Sequence, residues 1–160
     1  MTSSRTATVT LPSDTQILIS REFDASKHLV YRAYTEPDLV KRWWAGDRGE
    51  VVSIDLDLRV GGKWRYVMTA NGGFEVAFNG EFTEVETDNR LGRTEIFEGM
   101  PDAVAQSTLT LTETDGRTLV EILVTHTSTA NRDAHLNSGM ELGLQEALDH
   151  LEKVAVELGG

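Results

Sequence analysis

The chain has 160 residues, 39% of them apolar and none of them cysteine. That length suits one domain with a buried core, and the missing cysteines exclude a disulfide framework, a thiolate metal cluster and a cysteine nucleophile. Lys and Arg number 15 against 26 Asp and Glu, a net charge of −11, which repels nucleic-acid phosphates and anionic lipid surfaces.

The opening segment, Met1-Thr-Ser-Ser-Arg-Thr-Ala-Thr-Val-Thr10, lacks the apolar stretch of a secretory signal, and no apolar run in the chain exceeds three residues, whereas a membrane span needs about 20. Residues 1–13 read as a polar N-terminal tail and 14–160 as a single domain. No membrane insertion is expected, and the expected compartment is the cytoplasm.

From Gln16 to Phe23, Ile17, Ile19 and Phe23 share one parity, interrupted by Arg21, which predicts a strand. Leu29, Val30 and Ala33 then fall at helical spacing. Thr35-Glu36-Pro37-Asp38 follows with an N-cap, an early proline and an acidic residue, predicting a second short helix that carries Leu39, Val40, Trp43 and Trp44.

Between Val51 and Thr127 the pattern is alternation broken by turn residues, the signature of an antiparallel sheet. Val52, Ile54, Leu56 and Leu58 take one face. Trp64, Tyr66 and Met68 take it on the next strand, followed by Phe74, Val76, Phe78, Gly80 and Phe82. Asn71-Gly72-Gly73, Asp88-Asn89 and Asp115-Gly116 are the turns, and the last suits a two-residue type I′ hairpin because both central residues need positive φ. Leu91 to Phe97 is a weaker strand whose inward parity stays open. Leu109 and Leu111 pair with Val120, Ile122, Val124 and His126.

After Asn131 the period becomes helical: Met140, Leu144, Ala147, Leu151, Val154 and Leu158 lie within about 40° of one direction at 100° per residue. Gly139 and Gly143 weaken the first turns. The fold class is α+β: a curved antiparallel sheet of about six to seven strands wrapped around a long C-terminal helix, with two short helices after the first strand.

Chemical motifs are sparse. Gly61-Gly62 precedes a strand and has no Lys-Ser/Thr step into a helix, so it is a turn or bulge and not a phosphate loop. His135 and His150, placed on one helix, would stand about 22 Å apart, too far to share an ion, and no metal or other cofactor is expected. Glu75, Glu81, Glu113, Asp55 and Asp57 face outward or sit at hairpin ends, which argues against a paired-carboxylate hydrolase. His126, inward by parity, is either a satisfied polar group or an anchor for a ligand. The inward aromatics form either an ordinary core or the wall of a small-molecule site.

Arg21-Glu-Phe-Asp-Ala25, Thr35-Glu-Pro-Asp-Leu39, Trp43-Trp44, Asp57-Leu-Arg-Val-Gly-Gly-Lys-Trp-Arg65, Arg90-Leu91 and Gly139-Met140-Glu-Leu-Gly143 together resemble, in order, the family named for the activator of the heat-shock-protein-90 ATPase. That family lies within the START-like (SRPBCC) superfamily of birch-pollen-allergen-like proteins and polyketide cyclases. The resemblance spans about residues 16–158 and implies a helix-grip fold with a cavity between sheet and helix. Where the family often has Trp-Trp-Gly-Pro this chain has Trp43-Trp44-Ala45-Gly46. Its usual Gly-Trp in the last helix is Gly143-Leu144 here, a change that bears on the shape of the cavity and leaves its effect on cavity size open.

The expected function is binding of an apolar or aromatic, lipid-like small molecule, with Trp64, Tyr66, Met68, Phe78, Phe82, Met140 and Leu144 as walls and His126 as polar anchor. A second reading is a cyclase or aromatase acting on a polyketide-like ligand with His126 and Tyr66 as acid–base pair. A third is a chaperone-interacting module, although the eukaryotic co-chaperone carries an N-terminal domain with no counterpart here. A homodimer is compatible with each. The charge predicts no binding of duplex DNA at moderate salt; a salt-sensitive gel shift at micromolar protein would contradict it.

Overall fold

The computed structural model describes residues 6–160. Strands β1 (Thr8–Thr10) and β2 (Gln16–Phe23) are followed by helices α1 (Lys27–Thr35) and α2 (Pro37–Val40). Six strands come next: β3 (Gly49–Leu56), β4 (Lys63–Ala70), β5 (Glu75–Glu86), β6 (Arg90–Phe97), β7 (Val104–Thr114) and β8 (Arg117–Thr125). Helices α3 (Thr129–Leu136) and α4 (Met140–Gly159) end the chain. All eight strands form one antiparallel sheet in the order β1-β2-β8-β7-β6-β5-β4-β3.

The α+β class and the terminal helix agree with expectation, but the described residues form eight strands, not six to seven. The addition is β1, which falls within the segment read as a polar tail; the tail's residues 1–5 lie outside the described residues. Three residues are too few for a legible alternation. Thr8-Val9-Thr10 is nevertheless β-branched throughout, pairs with Leu18–Ser20, and is tethered by Gln145 of α4, whose side-chain amide exchanges two 2.9 Å hydrogen bonds with the backbone of Ala7.

The hairpin between β7 and β8 is closed by Asp115 (φ 54°) and Gly116 (φ 77°), as the Asp-Gly pair predicts. Two β-bulges interrupt the sheet, and the first alters an expected face. In β3 the register shifts between Val51 and Ser53, so Val51 packs toward the core while Val52, expected inside, is 57% exposed. Phe74, also expected inside, precedes β5 and is 61% exposed. The second bulge follows Phe82; such insertions increase twist and bend a sheet.

The helical segments divide differently from the prediction. Thr35 closes α1, its hydroxyl donating to the Tyr31 carbonyl at 2.7 Å, and Glu36 rather than Thr35 caps α2 with Pro37 at its first position. Trp43 and Trp44 lie beyond α2 in the following turns. His135 and His150 are on separate helices, α3 and α4, because Gly139 breaks the run in the left-handed conformation at φ 83°, a geometry glycine adopts without steric cost.

The α4 stripe has two regimes. Leu148, Leu151, Val154 and Ala155 are buried, whereas Met140, Leu144 and Ala147 are only partly covered. The buried half is anchored by Arg21, the residue that broke the β2 pattern: its guanidinium donates to Glu152 at 2.7 Å and Asp149 at 2.8 Å. Glu152 also accepts from the backbone N–H of Asp24. Arg21 thus keeps the inward parity of Ile19 and Phe23 and is paired inside the core. Leu151→Ala, at the fully buried centre of the stripe, should destabilise the fold by about 2–5 kcal/mol; an unmoved denaturant midpoint would show that α4 does not cover the core.

Candidate functional site

The partly covered half of α4 roofs two cavities of about 250 and 460 Å³ that share Phe78, Glu95, His135 and Met140 as walls. The smaller lies on Ile19 of β2 and Ile122 and Val124 of β8, with Trp43 and Trp44 among its walls and Leu144, Ala147 and Leu148 on the helix side. The larger extends under α3, between Phe97, Met100 and Ala105 and the helix residues Asn131 and Ala134.

Four of the eight predicted site residues border this cleft: Phe78 and Met140 line both cavities, Leu144 the smaller and His126 the larger. Trp64, Tyr66, Met68 and Phe82 are buried but line neither cavity. The reason is their position in the sheet. β4 is next to the outermost strand, and its Trp64 and Tyr66 rings are occupied in packing, so inward parity there leads into core. Trp64 sends its indole N–H across Gly80 to the Thr94 carbonyl at 3.0 Å. A Cβ on Gly80 would lie 1.9 Å from that same oxygen, so only glycine lets the indole through.

The unassigned parity of β6 proves decisive. Leu91, paired with Leu109 of β7, points inward, and Arg93 and Glu95 follow it at two-residue steps. Arg93 is 6% exposed and sits over three aromatic rings, its Cζ 4.0 Å from the centroid of Trp64, 5.3 Å from Tyr66 and 5.7 Å from Tyr34. Nη1 donates to the Tyr66 hydroxyl at 3.3 Å, and Nη2 lies 3.6 Å from the Glu95 carboxylate. An isolated buried guanidinium would cost several kcal/mol; ring faces and a carboxylate offset that cost. Burial opposes the charge on Arg93, but Tyr34, Tyr66 and Glu95 outweigh it and hold its pKa above the ordinary arginine value. Burial also raises the pKa of Tyr34 and Tyr66, partly countered by Arg93, so both phenols are neutral near pH 7.

The remaining aromatics connect this centre to the cleft. Trp44 meets Tyr66 and Phe78 edge-on, with centroids 5.4 and 5.9 Å apart. Trp43 stacks on Tyr34 at 5.2 Å and donates its indole N–H to the Ala33 carbonyl at 2.8 Å. Gly143 leaves room for Arg48, whose Nε would stand 2.8 Å from a Cβ added there.

His126 follows β8, and its Nε2 faces Nδ1 of His135 at 3.0 Å. One ring donates and the other accepts, so at least one is neutral. Burial, followed by His135 and Arg132, lowers the pKa of His126; burial lowers that of His135 against the opposing charge of Glu95. His126 Nδ1 is buried without a hydrogen-bond partner among the described residues. No group of three metal-ligating side chains occurs among the described residues. Nor is any described helix long and apolar enough to cross a membrane.

Residues 24–155 match the family described as activator of Hsp90 ATPase homolog 1-like protein. The chain belongs to this family. Its relationship to the START-like superfamily carries a fold that commonly binds ligands, and the single sheet with a long terminal helix is consistent with a helix grip. A crystal structure of a Rhodobacter sphaeroides protein is similar at 25% identity and TM-score 0.86, covering 96% of this chain and 98% of that one. Ms6760 from Mycobacterium smegmatis is similar at 26% identity and TM-score 0.82, covering 92% and 96%. An AHSA1-like protein from Aeromonas hydrophila is similar at 25% identity and TM-score 0.67, covering 89% and 94%. Among curated proteins no match is found.

In this family member the two histidines supply a pH test. Their folded pKa values are lowered, so between the unfolded value of about 6.5 and the folded values the unfolded chain binds more protons and stability falls as pH decreases. Ring resonances in NMR titrations should therefore have midpoints below 6.5, and His135→Gln should flatten the acid-side loss of stability. Midpoints at or above 6.5 would contradict a buried neutral pair.

Proposed function

We propose that this protein binds an apolar or aromatic small molecule in the cleft between the sheet and the N-terminal half of α4. The observation that carries the reading is a cleft bounded mainly by apolar and aromatic residues with the charged pair Arg93 and Glu95 in one wall, the composition of a small-molecule site. The larger cavity, about 460 Å³, lies within the range of such sites, about 300–1,000 Å³, and the smaller, about 250 Å³, falls just below it. Phe78, Met140 and Leu144 supply apolar contact. His126 serves as a polar group of the larger cavity, and Arg93 with Glu95 as that of the smaller. Polar groups allow water in the cleft, and an apolar ligand gains by displacing poorly ordered water.

The cyclase reading loses its pair, since Tyr66 lies under Arg93 and outside both cavities while His126 borders the larger.

The test is a thermal-shift screen of flat aromatic, polyketide-like and fatty compounds. A ligand at 100 times its dissociation constant adds about 2.7 kcal/mol, which raises Tm by several degrees. Hits should weaken in Phe78→Ala and in Leu144→Trp, the first removing a wall and the second filling space. Shifts indifferent to both substitutions would place binding elsewhere.

A further inference from the structure

Arg93 and Glu95 are adjacent on the inward face of β6, and each retains unspent hydrogen-bonding capacity. A guanidinium has five N–H donors; that of Arg93 makes one hydrogen bond among the described residues, to Tyr66. Its nearest carboxylate oxygen, on Glu95, is at 3.6 Å, beyond hydrogen-bond length. Glu95 accepts no side-chain hydrogen bond from the described residues. A buried cation and a carboxylate therefore border the same cavity with donors and acceptors left over.

Charge decides what fits there. In the smaller cavity Arg93 and Glu95 cancel, the cleft's other arginine, Arg48, being a wall of the larger cavity only, and burial keeps the histidines of the cleft toward their neutral forms. An anionic ligand would approach Arg93 only by meeting Glu95, and a cationic one would meet Arg93. A neutral hydroxyl has neither conflict: its O–H donates to the Glu95 carboxylate while its oxygen accepts from Arg93, and both bonds are charge-assisted. The rings of Trp43, Trp44 and Phe78 beside the pair favour a flat aromatic body. A hydroxyl on an aromatic ring is also a stronger donor to carboxylate than an aliphatic alcohol.

We propose that the Arg93–Glu95 pair selects, within the cleft read above as a binding site, neutral ligands of the phenol class over the corresponding carboxylates and ethers. A site built to hydrogen-bond a hydroxyl rejects analogues that leave its polar groups unpaired.

The experiment compares dissociation constants of 2-naphthol, 2-methoxynaphthalene and 2-naphthoate by protein-observed NMR titration at pH 7. It uses the wild-type chain, Glu95→Gln and Leu144→Trp. The expected result is that wild type prefers naphthol over both others by about tenfold or more. Glu95→Gln should reduce that preference and strengthen naphthoate binding, because the amide removes the opposing charge while Arg93 stays. Naphthoate binding as tightly as naphthol to wild type, or a preference unchanged in Glu95→Gln, would overturn the selection. If ether and naphthol bind alike but both weaken in Leu144→Trp, the selection fails and the cleft reading stands. Absence of binding by all three probes would overturn both.

Discussion

An antiparallel sheet of eight strands has an inner face far wider than one helix, and α4, at 20 residues, is the longest helix over it. Where that helix is held tightly, the face becomes core; where it stands away, the face becomes a cleft. The Arg21–Glu152 pair sets the tight end. Both side chains are nearly buried, and a buried ion pair persists only when its partners stay together. Glu152 binds the start of the segment after β2 as well, through Asp24. The helix is consequently pinned near β2 by its C-terminal half, while Met140, Leu144 and Ala147 face the region between β5 and β8 without closing it.

The second demanding feature, the buried charge of Arg93, is accommodated by the strands farther along the sheet. Trp64 lies beneath the guanidinium because its indole is drawn across Gly80 to Thr94. Tyr66 takes one N–H, and Trp44 packs edge-on against Tyr66 and Phe78. Aromatic residues that resemble a cavity lining in alternation are thus the support of a cation, and the cation, with Glu95, faces the cavity. An apolar cleft with one built-in charge pair positions a ligand more specifically than hydrophobic contact, which has no direction.

The family assignment gives this arrangement its setting. Similar structures from several bacteria share the fold at about a quarter sequence identity. A fold does not by itself set which ligand is taken; Leu144 at the roof and the charge pair on β6 do so in this cleft.

Alternation and helical spacing alone determined the α+β class, the β2 strand, the β7–β8 hairpin and the α4 stripe, because period-2 and period-3.6 burial and the positive-φ needs of Asp115-Gly116 are local properties. The resemblance carried by the ordered motifs added the family. Several features were decided only in the tertiary structure. β1 exists through its neighbours β2 and Gln145, and the bulge at Val52 reverses a face that simple counting assigns inward. His126 and His135 meet only because α3, which packs against β2 and α4, brings His135 back to 3.0 Å from the residue that follows β8. Most consequentially, Arg93 and Glu95 gave no apolar signal of their own. Their direction follows from Leu91 lying opposite Leu109 across the β6–β7 ladder, a pairing between distant segments that no periodicity within a single strand records.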